Sequence, residues 1–294
     1  MGLRIRTNVA SLVAQRRLGL TTDSLAESMG KLSSGQRINK SADDAAGLAI
    51  SESLRGKIRS LEQAKRNAND AVSMVQVAEG GMNEVSNILI RLKELATQAA
   101  SDNIGNVERS FTNKEYVELV DEIQRIANST EFNGHKVLLG GDGNNDVSEF
   151  VFHIGSGDGT VPNVDQINIS IDDIKIDAAE GFGLGNESEV GPAEQGDDFA
   201  RETAAEKLSI LESAISSLAD KRATLGAKQN RLSSSINNLG IQIENMSAAN
   251  SRIRDVDFAS ETANYTQMRI LQQGGASVLS QANQIPEVAL SLLR

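Results

Sequence analysis

The sequence predicts a mainly α protein: a long antiparallel coiled-coil or helix-bundle rod with a small β-hairpin segment in the middle of the chain. Three observations predict it. From Leu208 to Ile253, positions alternately three and four apart are filled by Leu and Ile with few exceptions. A second row with the same spacing, richer in Ala, runs from Leu54 to Ala99. Aromatic residues make up 3 % of the protein and Trp is absent, which leaves little from which to build a thick globular core.

The C-terminal row reads Leu208, Leu211, Ile215, Leu218, Arg222, Leu225, Gln229, Leu232, Ile236, Leu239, Ile243, Met246, Asn250, Ile253. Its heptad period implies a left-handed seam, and at 1.5 Å per residue the helix would reach ~70 Å. Arg222, Gln229 and Asn250 interrupt the seam and are expected to fix register at some loss of stability. The N-terminal row alternates Leu61, Ala68, Val75, Met82, Leu89 and Ala96 with Ala64, Ala71, Ala78, Val85, Leu92 and Ala99. Small side chains from 64 to 78 permit close approach, so 44–100 and 203–252 are expected to pack together. Ser41 and Asp44 have the spacing of a capping box, which places the helix start near 42–44. A third helix, about 107–129, presents Phe111, Val117, Val120, Ile123 and Ala127 and would complete a small bundle.

After Phe132-Asn133-Gly134 the texture changes to Gly-punctuated short runs, with hairpins expected about 134–177. Phe150 to Ile154 reads as a strand, and Ile167, Ile169 and Ile171 alternate onto one face of another. Residues 178–202 are read as an acidic loop with little to bury. Residues 140 to 200 hold 14 Asp and Glu against the single Lys175, whereas the protein as a whole has a formal net charge of −11. Such acidity argues against nucleic acid or an anionic membrane as partner of that segment.

The two ends form a separate zone, 1–43 with 252–294, flanking the rod domain of 44–177 with 203–251. Ile5, Val9, Leu12, Leu25, Met29 and Leu32 make the first helix amphipathic. Phe258, Tyr265, Ile270, Leu271, Val278, Leu279 and further apolar residues to Leu293 do the same for the last. Neither stripe can be buried by its own helix, so both ends are expected to be poorly ordered in the monomer and to fold on assembly. Leu12, Leu32, Leu271, Leu279 and Leu292 are the residues expected to carry polymerisation.

Several chemistries are disfavoured. The protein has no Cys, which removes disulfides, thiolate metal sites and thiol nucleophiles. His135 and His153 lack metal-ligand spacing, and Asp43 and Asp44, as neighbours on a helix, suit capping better than paired catalysis. Gly155-Ser-Gly157-Asp-Gly159 lacks the Lys-Ser/Thr and helix of a phosphate loop. No catalytic, cofactor-binding or metal residue is therefore assigned. No stretch is apolar enough to span a bilayer, and the first residues lack the pattern of a cleaved secretory signal.

Motifs at both ends are recognisable. They are Lys31-Leu-Ser-Ser-Gly35-Gln-Arg37-Ile-Asn39, Ala42-Asp-Asp-Ala-Ala-Gly-Leu-Ala-Ile50 and Gln63 to Asn83 in the first part. In the last part they are Arg252-Ile-Arg-Asp255, Arg269-Ile-Leu-Gln-Gln-Gly274, Ser277-Val-Leu and Leu290-Ser-Leu-Leu293. In this order they resemble the bacterial flagellins, over about 1–139 and 203–294. The resemblance implies a secreted, extracellular filament subunit for swimming motility, exported by the type III route and assembled from copies of itself. It further implies an export chaperone, a cap protein and hook-junction proteins as partners, and no enzymatic activity. A hook-filament junction protein of the same family is the alternative. The resemblance also implies that a host Toll-like receptor reads Arg91, Leu95 and Glu115, and that the short middle segment forms the filament exterior. Ser148, Ser156, Thr160 and Ser170 are candidate glycan carriers there.

Overall fold

The computed structural model describes residues 7–139, 149–157, 165–178, 182, 184 and 197–291. In sequence order lie α1 (Val9–Ser34), α2 (Ala45–Ala99), α3 (Asn106–Ser129), β1 (Glu131–Phe132), β2 (His135–Lys136), β3 (Glu149–His153), β4 (Gln166–Ser170), α4 (Asp197–Arg254) and α5 (Phe258–Ser291). They fall into two compact units, Arg59–Ile243 and the two ends, Met1–Ile58 with Glu244–Arg294.

In the central unit α2 and α4 run antiparallel, as their cross-links show: Lys93 Nζ sits 2.9 Å from Glu212 and Arg222 3.8 Å from Glu79. The α2 row from Leu61 to Ala99 is buried at every expected position. On α4 the two heptad rows differ. Leu211, Leu218, Leu225, Leu232 and Leu239 are buried, whereas Leu208, Ile215, Arg222, Gln229 and Ile236 are half-covered at the flank. Arg222 and Gln229 thus interrupt the wet row, where a charged head reaches solvent and an uncompensated buried charge is avoided.

The third helix departs from the reading in two places. Phe111 is 63 % exposed, and the buried stripe is Arg109, Thr112, Tyr116, Val120, Ile123 and Ala127. Arg109 is inside because its guanidinium caps the end of α2, donating to the carbonyls of Ala99 at 3.0 Å and Ser101 at 3.1 Å. Those carbonyls have no partner further along the helix, so a cation there satisfies both hydrogen bonding and the helix dipole.

Two antiparallel hairpins follow. In the first, Phe132 pairs with His135 across Asn133-Gly134, whose φ values of 53° and 80° are those of a type I′ turn. In the second, β3 and β4 pair from Glu149↔Ser170 to His153↔Gln166, and Ile167 and Ile169 face the core. Lys228 on α4 fastens this hairpin, donating at 2.9 Å to both the Asn168 carbonyl and Asp173 Oδ2. Contrary to the expectation of an acidic loop with little to bury, Ala178, Phe182 and Leu184 are buried. The Phe182 amide donates to the Asp177 carbonyl at 3.0 Å and the Leu184 amide to the Ala178 carbonyl at 2.8 Å, which holds these two large side chains in the core. α4 also begins earlier than expected, at Asp197.

In the unit of the two ends, Asp44 is the N-cap of α2, its Oδ1 accepting from the Gly47 amide at 2.8 Å. The Ser41 capping box is not formed, since the Asp44 carboxylate serves the Gly47 amide instead, while Asp43 turns back to accept from the amides of Asn39 and Lys40, both at 2.9 Å. Gly35 ends α1 in the left-handed conformation, and Gln36 bridges to Asp255. Arg37 N donates to the Arg254 carbonyl at 2.7 Å, and Val256 N to the Gly35 carbonyl at 3.0 Å. Arg254 in turn reaches Glu52 at 2.5 Å and Gln36 at 3.1 Å. The two motifs around Gly35-Gln-Arg37 and Arg252-Ile-Arg-Asp255 therefore form one clamp, with Ile38 buried beneath it.

Candidate assembly interface

Helices α1 and α5 pair antiparallel. Asn8 Nδ2 donates to the Ala282 carbonyl at 2.7 Å, Ser11 Oγ to Asn283 at 2.6 Å, Gln272 Nε2 to Thr22 at 3.3 Å, and Ser28 Oγ to Glu261. The facing positions follow coiled-coil spacing. On α1 they are Asn8, Ser11, Ala14, Leu18, Thr21, Leu25 and Ser28, and on α5 Glu261, Tyr265, Met268, Gln272, Gly275, Leu279 and Ala282. Most are small or polar. Gly275 matters here, because a Cβ on it would stand 3.2 Å from Leu18 Cδ1. Small residues at such a seam let two backbones approach closely.

Leu18, Leu25, Tyr265, Met268 and Leu279 also lie in the seam, but a second set of large apolar side chains faces away from it. Val9, Leu12, Val13 and Leu20 on α1, with Phe258, Ile270, Leu271 and Val278 on α5, are each between 44 % and 63 % exposed. At 100° per residue, Val9, Val13 and Leu20 lie opposite Ala14, Leu18 and Leu25. On α5 the outward face holds an open trough of about 800 Å³, floored by Ala259, Thr262, Ala263 and Thr266 and walled by Phe258 and Ile270. Unlike a soluble coiled coil, the pair leaves a large apolar surface outside its seam. Contiguous exposed apolar surface of this kind marks an interaction site.

Of the residues expected to carry polymerisation, Leu12 and Leu271 are exposed, Leu32 and Leu279 are half-buried, and Leu292 lies outside the described residues. The sequence reading did not single out Val13 and Leu20. Their signal was available, namely apolar residues on the side of α1 away from the row that includes Ser11 and Ser28.

The other candidate set lies in the central unit. Arg91 Nε and Nη2 donate to Glu115 Oε1 at 2.9 and 2.8 Å, and Arg91 Nη1 to Glu94 at 3.0 Å, so α2 and α3 are tied at the surface. These carboxylates raise the guanidinium pKa above its ordinary value. Leu95 does not join them at the surface, being 2 % exposed in the core below. Among the candidate glycan carriers, Ser156 is exposed and Ser170 half-buried, while Ser148 and Thr160 lie outside the described residues. Among the described residues no helix is long and apolar enough to cross a membrane.

Residues 5–142 match the family model for the bacterial flagellin N-terminal helical region, and residues 208–293 that for the C-terminal helical region. The protein is 40 % identical to a flagellin of Bacillus subtilis, over 99 % of its own length and 100 % of the relative's. It is 38 % identical to a flagellin of Halalkalibacterium halodurans, over 99 % of both. It is 41 % identical to a flagellar filament 30.7 kDa core protein of Treponema maltophilum, over 98 % of its own length and 99 % of the relative's. A crystal structure of Bacillus cereus flagellin aligns with a TM-score of 0.49 at 30 % identity, covering 63 % of this protein and 94 % of that one.

Proposed function

The protein belongs to the bacterial flagellins, and we propose that the outward apolar faces of α1 and α5 are the surfaces through which its copies polymerise. It is a structural subunit of the extracellular flagellar filament and assembles with itself. The observation that carries the interface is the surface the paired ends leave open: the seam holds mostly small and polar residues with a few large ones, and Leu12, Leu20, Ile270, Val278 and Phe258 remain exposed outside it. A contact between copies buries that surface and stabilises the polymer by the transfer free energy of the side chains it covers. Leu12 and Leu271 are exposed on these two helices, whereas Leu279 lies in the α1–α5 seam and Leu32 is half-buried. Both ends are poorly ordered in the isolated subunit and become ordered on docking, a reading supported by how little apolar area the pair hides by itself.

Removing residues 1–40 or 255–294 tests this. The truncated protein is expected to remain a folded, soluble monomer by circular dichroism and sedimentation, and filaments seen by electron microscopy would overturn the assignment.

The remaining partners in this reading are an export chaperone, a cap protein, hook-junction proteins and a host Toll-like receptor, with no catalytic role. The receptor reading is supported by Arg91 and Glu115, which are half-exposed and hold each other in place. Leu95 contributes from beneath by packing. A receptor reporter assay with soluble protein checks it, and the absence of a signal would count against it.

A further inference from the structure

Asn133 and Gly134 form the tip of the first hairpin, and this is the protein's single Asn-Gly step: no other Asn in the sequence is followed by Gly. Both residues are exposed. Among the described residues the Asn133 carboxamide makes no hydrogen bond, and the strand pairing is made by Phe132 and His135, so the Gly134 amide stands outside the ladder. Asn133 is also the one non-glycine described residue with positive φ, at 53°.

We propose that Asn133 is a site of spontaneous covalent modification in the folded protein, deamidating and isomerising at the tip of the hairpin. The chemistry needs no reagent but water. The Gly134 amide nitrogen, losing its proton to hydroxide, attacks Cγ of Asn133. A new bond forms between that nitrogen and Cγ, the bond from Cγ to the carboxamide nitrogen Nδ2 breaks, and ammonia leaves with the proton it takes up. The result is a five-membered succinimide. Attack is unhindered on the far side because Gly134 carries no Cβ. Water then opens the ring. Opening at the former carboxamide carbonyl restores the ordinary backbone and leaves an aspartate in place of Asn133. Opening at the backbone carbonyl leaves an isoaspartyl linkage that runs the backbone through Cγ.

The two products differ structurally. Asp tolerates the left-handed conformation and keeps the type I′ turn. The isoaspartyl linkage adds a carbon to a two-residue loop and cannot keep it. That loop ends in a short anchor: Val137 N donates to the Thr130 carbonyl at 3.1 Å, Val137 and Leu138 are fully buried, and Leu138 and Thr130 lie against Gly81 of α2. Isomerisation would loosen this corner while leaving the long helices in place.

The test is to incubate the folded protein in mildly alkaline buffer, digest it, and follow each Asn-containing peptide by mass spectrometry with an isoaspartyl methyltransferase assay. Expected is a gain of about one dalton confined to the peptide bearing Asn133, several-fold above any other Asn, with methyl acceptance at the same site. The Val137 amide should exchange faster with deuterium in the isoaspartyl fraction. The variant Asn133→Gly accepts positive φ and should fold normally and show neither signal. Modification spread evenly over several asparagines would overturn the proposal. So would an unmodified Asn133 in folded protein when the urea-unfolded protein reacts there, since the turn would then be shown to protect it.

Discussion

Replacing Ile270, Leu271 and Val278 together by Ser probes the outward face of α5 without touching the core, because the three are 63 %, 51 % and 56 % exposed in the subunit. Full burial of such a side chain is favourable by about 1.5 to 3 kcal/mol, and the part still exposed once α1 and α5 have paired, a little over half, is what contact between copies adds. Each therefore contributes roughly 1 to 1.5 kcal/mol to assembly, and the triple variant should lose about 3 to 4.5 kcal/mol per subunit. At 1.4 kcal/mol per tenfold, that raises the critical concentration for seeded growth by roughly a hundredfold to a thousandfold. Pelleting of seeded filaments across a concentration series reads this directly, with the thermal midpoint of the monomer as control. A change in critical concentration of less than about tenfold would refute the reasoning. So would a fall in monomer stability large enough to explain the defect.

Gly81→Ala should destabilise the central unit, since its Cβ would lie 2.8 Å from both Leu138 Cδ1 and Thr130 Oγ1. Overpacking of about 1 to 3 kcal/mol outweighs roughly 1 kcal/mol of helix propensity. At Gly80, where a Cβ meets nothing within 4 Å, the same change should stabilise, and urea midpoints distinguish the two. Burial pushes the Tyr116 hydroxyl from 10.0 to about 12, and among the described residues the buried group has no hydrogen-bond partner. Its folded value is raised, so its contribution is intact below pH 10 and is lost as pH rises from 10 to about 12. Alkaline titration of stability should therefore show a loss of roughly 2 to 3 kcal/mol that Tyr116→Phe abolishes. Glu52 is held below its ordinary 4.5 chiefly by the hydrogen bond from Arg254. Its folded value is depressed, so its contribution to the clamp is present above 4.5 and is lost as pH falls through the lower value. In Arg254→Ala the Glu52 titration, followed by NMR, should move up toward the ordinary range.

The α2–α4 pairing was legible because a heptad repeats one decision many times, and no single polar residue can overturn it. The strict Leu row, Leu211 to Leu239, was as buried as its spacing implied. The same logic failed on α3, where Arg109 is buried for a reason that lies on another helix and Phe111 is exposed. Hydropathy alone ranks those two the wrong way round. Phe182 and Leu184 were missed for a similar reason: in a Gly-rich acidic stretch two apolar residues carry no period, yet backbone bonds to Asp177 and Ala178 are enough to hold them in the core. The cap lies at Asp44 rather than in a Ser41 box because Asp44 points forward to the Gly47 amide while its neighbour Asp43 points back to Asn39 and Lys40, and residue types alone do not say which way each carboxylate turns.

The two ends were legible as apolar stripes, but not as to which way they face. Amphipathicity normally aims the large residues at the neighbouring helix. Here Ser28, Gly275 and Ala282 permit a closer polar pairing than Leu or Ile would, and the apolar stripe is left for something else to cover. That uncovered stripe is the feature on which the assembly reading rests.

Solvent protection on polymerisation tests it most directly. The protein has no Cys, so a single thiol introduced by Leu12→Cys or Ile270→Cys can be labelled without background. Maleimide should react rapidly in the subunit and at least about tenfold more slowly in the intact filament, with reactivity returning when the filament is dissociated. Equal labelling rates in subunit and filament at both positions would contradict the account.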